Sequence, residues 1–152
     1  MGVDERLVEL GIELPPVAAP VASYIPVAVG AGLAFVAGQV PLEDGKPMVT
    51  GRVGDEVSVE DGQRWARRCA LQALAALKAE LGSLDLVRRI VKVTVFVASP
   101  EGFTQQPQVA NGASDLLGEV FGDAGRHARV SVSAPSLPLG VPVEVEVIAE
   151  IT

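Results

Sequence analysis

Arg129 in the run Ala128-Arg129-Val130-Ser131-Val132-Ser133, and Glu144 and Glu146 in Val143-Glu144-Val145-Glu146-Val147, form the chain's clearest chemical pattern. Both runs alternate with valine at a period of two. Each therefore reads as a strand whose polar residues share a face, Arg129 with Ser131 and Ser133, and Glu144 with Glu146. The proline- and glycine-rich stretch 135–140 between them reads as a hairpin turn that would bring the strands together. Arginine offers a carboxylate a planar fork that fixes direction as well as place, a charge-assisted contact worth about 1.5–3 kcal/mol. A glutamate beside it can orient a water and shuttle its proton. The alternative is a cross-strand ion pair worth about 0.2–1 kcal/mol, in which the charges only satisfy each other. On the ligand reading Arg129 keeps its fork free for an outside carboxylate, and one of the two glutamates faces the same cavity.

Other chemistries find less support. No Gly-x-Gly-x-x-Gly or Walker-type run follows a strand, and no residues have metal-ligand spacing. The single histidine, His127, excludes most histidine metal sites and a Ser-His-Asp triad. Beside Arg126 it reads as a loop histidine, with a general base as the sharper alternative. The single cysteine, Cys69, flanks the apolar stripe of a helix and reads as a packed thiol. Asp plus Glu number 19 against 12 Lys plus Arg, and the net charge of -7 repels a phosphate backbone, so no nucleic-acid partner is expected. Arg64, Arg67 and Arg68, with Arg88 and Arg89, read as solvated, with an anion patch as the alternative. No run approaches the roughly 18 apolar residues of a membrane span. The amino end lacks the segments of a signal peptide, so a cytoplasmic location without membrane contact is expected.

The elements that position these residues follow from pattern. With 152 residues, 49% hydrophobic but 4% aromatic, one domain with a Val, Leu, Ala and Ile core is expected. Residues 1–20 read as an arm: Asp4 caps a short helix through Leu10, Gly11 stops it, and Pro15, Pro16 and Pro20 hold the chain extended. Residues 21–152 form the single domain. Its first extended segment, 21–29, holds the only tyrosine, Tyr24. In the apolar strand 33–40, Gly38 marks a bulge or a close approach by backbone or ligand. Glu43-Asp44-Gly45-Lys46 is a hairpin turn. Ser58 with Asp61 starts a helix whose stripe is Ala66, Ala70, Leu74, Leu77 and Leu81, closed by Gly82. A strand over 90–97 places Val91, Val93, Val95 and Val97 opposite Lys92 and Thr94. A second helix runs from Pro107 to Gly122. The sum is an α+β fold, a mixed sheet of about six strands with both helices on one face. The other face, expected to hold Lys92, Thr94, Arg129, Ser131, Ser133, Glu144 and Glu146, has the mixed character of a subunit interface containing sites.

Taken together, Leu33-Ala34-Phe35-Val36-Ala37-Gly38-Gln39-Val40-Pro41, Val91-Lys92-Val93-Thr94-Val95-Phe96-Val97, Ala128-Arg129-Val130-Ser131-Val132 and the run from Leu137 to Ala149 resemble the Rid, or YjgF, family of reactive-intermediate deaminases. The most specific element is Gly-Gln-x-Pro combined with Ala-Arg and Val-Glu-x-Glu at these separations. Asn111-Gly112-Ala113-Ser114 and the arm resemble a side branch of the family. The resemblance implies a chorismate-mutase-like fold and a homotrimer with sites between subunits. It implies cofactor-free hydrolysis of small imino and enamine acids, such as 2-iminopropanoate and 2-aminoacrylate, to 2-keto acids and ammonia. Arg129 matches the arginine that holds the substrate carboxylate, Glu144 the glutamate that positions water, and Tyr24 a tyrosine lining the site. Ala37, Gly38, Gln39 and Ser131 would shape the rest of the pocket. Two positions depart from the deaminase pattern, with Ala37 where a serine is usual and Ser131 where a cysteine is usual. Ala37 removes a hydroxyl that could bond substrate or water. A non-catalytic trimer that binds small carboxylic acids or a protein partner is therefore the alternative.

Overall fold

The structure, a computed structural model, describes residues 1–17, 19–20 and 22–152. The arm begins with α1 (Val3–Glu9), which buries Leu7 in the main core. Its N-cap is Gly2 and not the expected Asp4. The Asp4 carboxylate is occupied elsewhere, accepting from Ser83 Oγ at 2.6 Å and pairing with Lys78 Nζ at 3.0 Å. The expected start of the first extended segment, at Val21, lies outside the described residues.

The strands are β1 (Val27–Gly30), β2 (Leu33–Gln39), β3 (Leu42–Glu43), β4 (Lys46–Pro47), β5 (Val87–Ala98), β6 (Ala128–Ala134) and β7 (Val143–Ile151). Five of them form one sheet in the order β1-β2-β7-β5-β6, and β3 and β4 make a separate hairpin. Asp44 and Gly45 turn that hairpin with φ of 52° and 75°, the left-handed pair that a tight two-residue turn requires. The expected sheet of about six strands is thus a sheet of five. The helices α2 (Val59–Leu81) and α3 (Gln106–Phe121) follow β4 and β5 respectively. Ser58 Oγ accepts from the Asp61 amide at 3.1 Å to start α2, and Gly82 at φ 86° ends it. The two helices pack so closely that a Cβ on Gly112 would collide with the Gln63 carbonyl.

Two features of the sheet depart from the sequence reading. β5 starts at Val87, three residues early, and slips register between Ile90 and Lys92. Its buried side is therefore Ile90, Val93, Val95 and Val97, and Val91 is only half-buried. More consequentially, β6 and β7 are not neighbours. The connection from β5 to β6 passes through α3, which returns the chain parallel to β5, and β7 then pairs antiparallel on β5's other edge. The predicted hairpin does not form.

This order also divides the polar residues between the two faces. Val93 and Val95 face the helices, and their register partners on β6 are Arg129 and Ser131, so those two point to the helix side with Ser133. Thr94 and Phe96 stand opposite Glu146 and Glu144, which point to the open side with Val130 and Val132. The expectation that all seven polar residues share the open face is therefore corrected for Arg129, Ser131 and Ser133. An edge strand extends past its covering helices, so polar residues fit on its inner side. Among the described residues no helix is long and apolar enough to cross a membrane.

Candidate functional site

Arg129 looks out beside α3 from the edge of the sheet. Its Nη1 donates to Asn111 Oδ1 at 2.8 Å and to Ser114 Oγ at 3.2 Å, and its Nη2 donates to the Pro107 carbonyl at 3.4 Å. Its Nε has no partner among the described residues. Ser114 Oγ in turn lies 2.9 Å from His127 Nε2, and His127 Nδ1 lies 2.6 Å from the Gly125 carbonyl. An open depression of about 350 Å³ runs past Ser114, Gly118, His127 and Arg129. Ser131 is half-buried one step along the strand. Ser133 is drawn into a neighbouring cluster, accepting from Gln106 Nε2 at 2.7 Å and lying 2.6 Å from Ser99 Oγ.

Glu144 stands on the opposite face, over a kink in β2. Val36 pairs with Val147 and Gln39 with Val145, so β2 holds one extra residue at Ala37-Gly38. The bulge predicted from Gly38 is present, and so is the close approach: a Cβ on Gly38 would collide with the Glu144 carboxylate. Burial, and secondly the charge of Glu146, raise the Glu144 pKa above its ordinary value. Gln39 folds back to donate from Nε2 to the Ala37 carbonyl at 3.0 Å. Tyr24, Gly38 and Gln39 line a niche of about 30 Å³, closed by Ala19 and Pro20 of the arm. That is room for about one water.

One chain therefore holds Glu144 against the Ala37-Gly38 bulge on the open side and Arg129 and Ser131 at the sheet's edge on the helix side, while Gln39, in register with the core residue Val145, turns toward Gln72 of α2 and shares the niche with Tyr24. Arg129 and the glutamates do not form the cross-strand pair, and they do not share a cavity within the chain.

Three polar residues near the site had no assigned role in the sequence reading. Gln72, buried on α2, accepts from the Leu42 amide at 3.2 Å and from Arg68 Nε at 3.1 Å, and donates to the Val40 carbonyl at 2.7 Å. It supports the chain just beyond Gln39, and its signal was a lone polar residue within the apolar run 69–77. Asn111 and Ser114, the partners of Arg129, are three apart on α3 and so share a helix face. Arg64, Arg67 and Arg88 make surface ion pairs with Asp61, Glu119 and Glu150, as a solvated face requires. Arg68 is the exception, reaching inward to Gln72 and to the Leu42 carbonyl. Cys69 is fully buried and burial pushes its thiol pKa far up, which makes it a packed thiol. Among the described residues no three His, Cys, Asp or Glu side chains gather as metal ligands.

A family model described as "YjgF/chorismate_mutase-like, putative endoribonuclease" matches residues 4–151. The chain belongs to the YjgF family. TCP17 of Trypanosoma cruzi is 45% identical over 150 residues, 98% of this chain and 94% of that one. The crystal structure of Atu1372 from Agrobacterium tumefaciens, a protein of unknown function, superposes with a TM-score of 0.90 at 45% identity, covering 99% of this chain and 92% of that one. A Shewanella oneidensis MR-1 protein carrying the same endoribonuclease description superposes at 0.94 with 34% identity, covering 99% and 100%. The five-stranded sheet with its helices on one face is thus the YjgF fold. These matches span nearly the whole chain.

Proposed function

We propose that this YjgF protein hydrolyses small 2-imino and enamine acids, of the 2-iminopropanoate and 2-aminoacrylate type, to 2-keto acids and ammonia at a site shared by two copies of the chain. The supporting observation is the separation of its two charged groups. Arg129 has an ordered guanidinium on the helix side and Glu144 a desolvated carboxylate on the open side, so a single small acid can touch both only where two copies meet. Phe35, Val130 and Val132 are 44%, 42% and 41% exposed on the open face, an apolar surface suited to a second copy. A contact that joins an edge strand of one copy to the open face of the next is head-to-tail. Such contacts form a ring when the rotation closes, and the family resemblance supports a ring of three.

In that cleft Arg129 binds the substrate carboxylate through its unpaired Nε edge. Glu144 takes a proton from water as the oxygen attacks C2 of the imine, giving a carbinolamine. That proton passes to nitrogen to complete the carbinolamine, Glu144 then carries the carbinolamine's hydroxyl proton to the nitrogen, and as the C=O bond forms the C–N bond breaks and ammonia leaves with a 2-keto acid behind it. An enamine enters the same sequence after protonation at C3. No cofactor is needed. Because residue 37 is alanine, the water is held by Glu144 and the backbone of the Gly38 bulge rather than by a hydroxyl. Ribonuclease chemistry is a poorer fit, since the net charge of -7 opposes a phosphate backbone. Ala37 also favours a second reading, carboxylate binding without turnover.

An assay that generates 2-iminopropanoate in place from alanine and an amino-acid oxidase tests the proposal. Arg129→Ala should lower kcat/KM by about a hundredfold while the circular dichroism spectrum stays unchanged, given the worth of a charge-assisted bond and of fixed orientation. Equal rates for variant and wild type would sink the assignment. Calorimetric binding of pyruvate without turnover would support the second reading.

A further inference from the structure

An arginine on an edge strand beside solvent has four rotatable side-chain bonds, and the strand alone does not set its guanidinium plane. Here the plane is held from one side. The Gly125 carbonyl can only accept, so His127 Nδ1, 2.6 Å away, carries the imidazole hydrogen. In the neutral ring Nε2 is then an acceptor, and the Ser114 hydroxyl at 2.9 Å is its donor. With its hydrogen committed to His127, Ser114 turns a lone pair toward Arg129 Nη1 at 3.2 Å. Three hydrogen bonds thus run in one sense, from Arg129 to Ser114 to His127 to Gly125, each polarising the next. The end of the chain is anchored too. A Cβ on Gly125 would collide with the Leu117 carbonyl, so only glycine lets this turn sit against α3, the helix that carries Ser114.

We propose that Ser114 and His127 are positioning residues: their relay fixes the Arg129 guanidinium so that its Nε edge, the edge left without a partner, is presented to the ligand carboxylate. This rests on the reading of Arg129 as the carboxylate anchor. Neither residue touches the ligand. The relay sets its orientation through Nη1.

The test uses the intact protein, with pyruvate as the carboxylate probe and pyruvamide as its neutral counterpart, titrated by calorimetry beside KM and kcat for the imine. Ser114→Ala and His127→Phe should each weaken pyruvate binding and raise KM about tenfold, while kcat stays within about twofold. Ser114→Thr, which keeps the hydroxyl, should restore most of the affinity, and pyruvamide binding should not respond to any of these changes. With one histidine in the chain, its imidazole nitrogen-15 spectrum is unambiguous and should report the Nδ1–H tautomer in the wild type. An Nε2–H tautomer would overturn the relay without any variant having to fold. Unchanged pyruvate affinity in Ser114→Ala, with Arg129→Ala losing it, overturns this inference alone. Unchanged affinity in Arg129→Ala overturns the anchor reading itself.

Discussion

Arg129 stands on an edge strand and is wired to one helix by donated hydrogen bonds, whereas Glu144 stands on the central strand and is defined by what has been cleared away around it. The arginine spends Nη1 on Asn111 and Ser114 and Nη2 on a carbonyl. The glutamate has no hydrogen-bond partner among the described residues, and a backbone bulge with a glycine makes room for it. These opposite constructions fit opposite tasks. A cationic anchor gains from being rigid before its ligand arrives. A carboxylate that exchanges protons gains from being short of partners, because burial brings its pKa toward the working pH. Each end is complete in one chain, and the proposed activity needs one end from each of two chains.

The largest effect comes from separating the ends deliberately. Arg129→Ala and Glu144→Gln should each keep about a hundredth of the wild-type activity or less alone. Mixed equally, unfolded and refolded together, they should recover roughly a quarter of the wild-type rate, the fraction of interfaces that receives both intact ends in a head-to-tail ring. No recovery would break the comparison. Next, Gly38→Ala should lower kcat more than tenfold, because its methyl occupies the carboxylate's place, and it should cost about 1–3 kcal/mol of stability from overpacking. A variant of unchanged kcat would show that Glu144 has another way to reach its water. Gln72→Leu should cost about 1–3 kcal/mol in urea unfolding by leaving the Leu42 amide and Val40 carbonyl without their partner. It should also raise KM less than Gly38→Ala lowers kcat.

The smallest effect concerns stability against pH. Glu144 has a folded pKa above its unfolded one, so its ionisation costs stability. The protein is favoured below the unfolded value and loses that contribution as pH rises through the folded value. Glu144→Gln should therefore melt at a higher temperature than wild type near pH 8, and the gap should close toward pH 4 or about there. A gap that is the same at both ends would mean the carboxylate is well solvated.

The parts that could be read from the sequence were those governed by neighbours in the chain. Ser58, Gly82 and the apolar stripe between them give α2 its ends and its buried side, and Gly38 signals the bulge because glycine in a strand has few other uses. The placement of Arg129 was not legible in the same way. A period of two says that Arg129, Ser131 and Ser133 share a face, but which face depends on the strand paired alongside, and β5 lies far from β6 in sequence. On an edge strand the inner face can be polar, so the usual equation of polar with outward fails there. The same applies to Ser114 and His127. Thirteen residues separate them, and their meeting depends on how the turn through Gly125 packs against a helix. Gln72 could have been caught, since a glutamine among buried alanines must find its hydrogen bonds inside the fold.

The clasp on the first helix has a consequence for how the chain is made. α1 emerges from the ribosome well before the side chain that receives Asp4, Ser83, which lies 79 residues later. Until that distance has been synthesised, Leu7 has no finished core to enter and the helix trails as a short free segment too brief to hold itself together. α1 therefore docks only after residue 83 has been made, and a nascent chain stalled before that point should be cut by protease within α1, whereas the finished fold resists there.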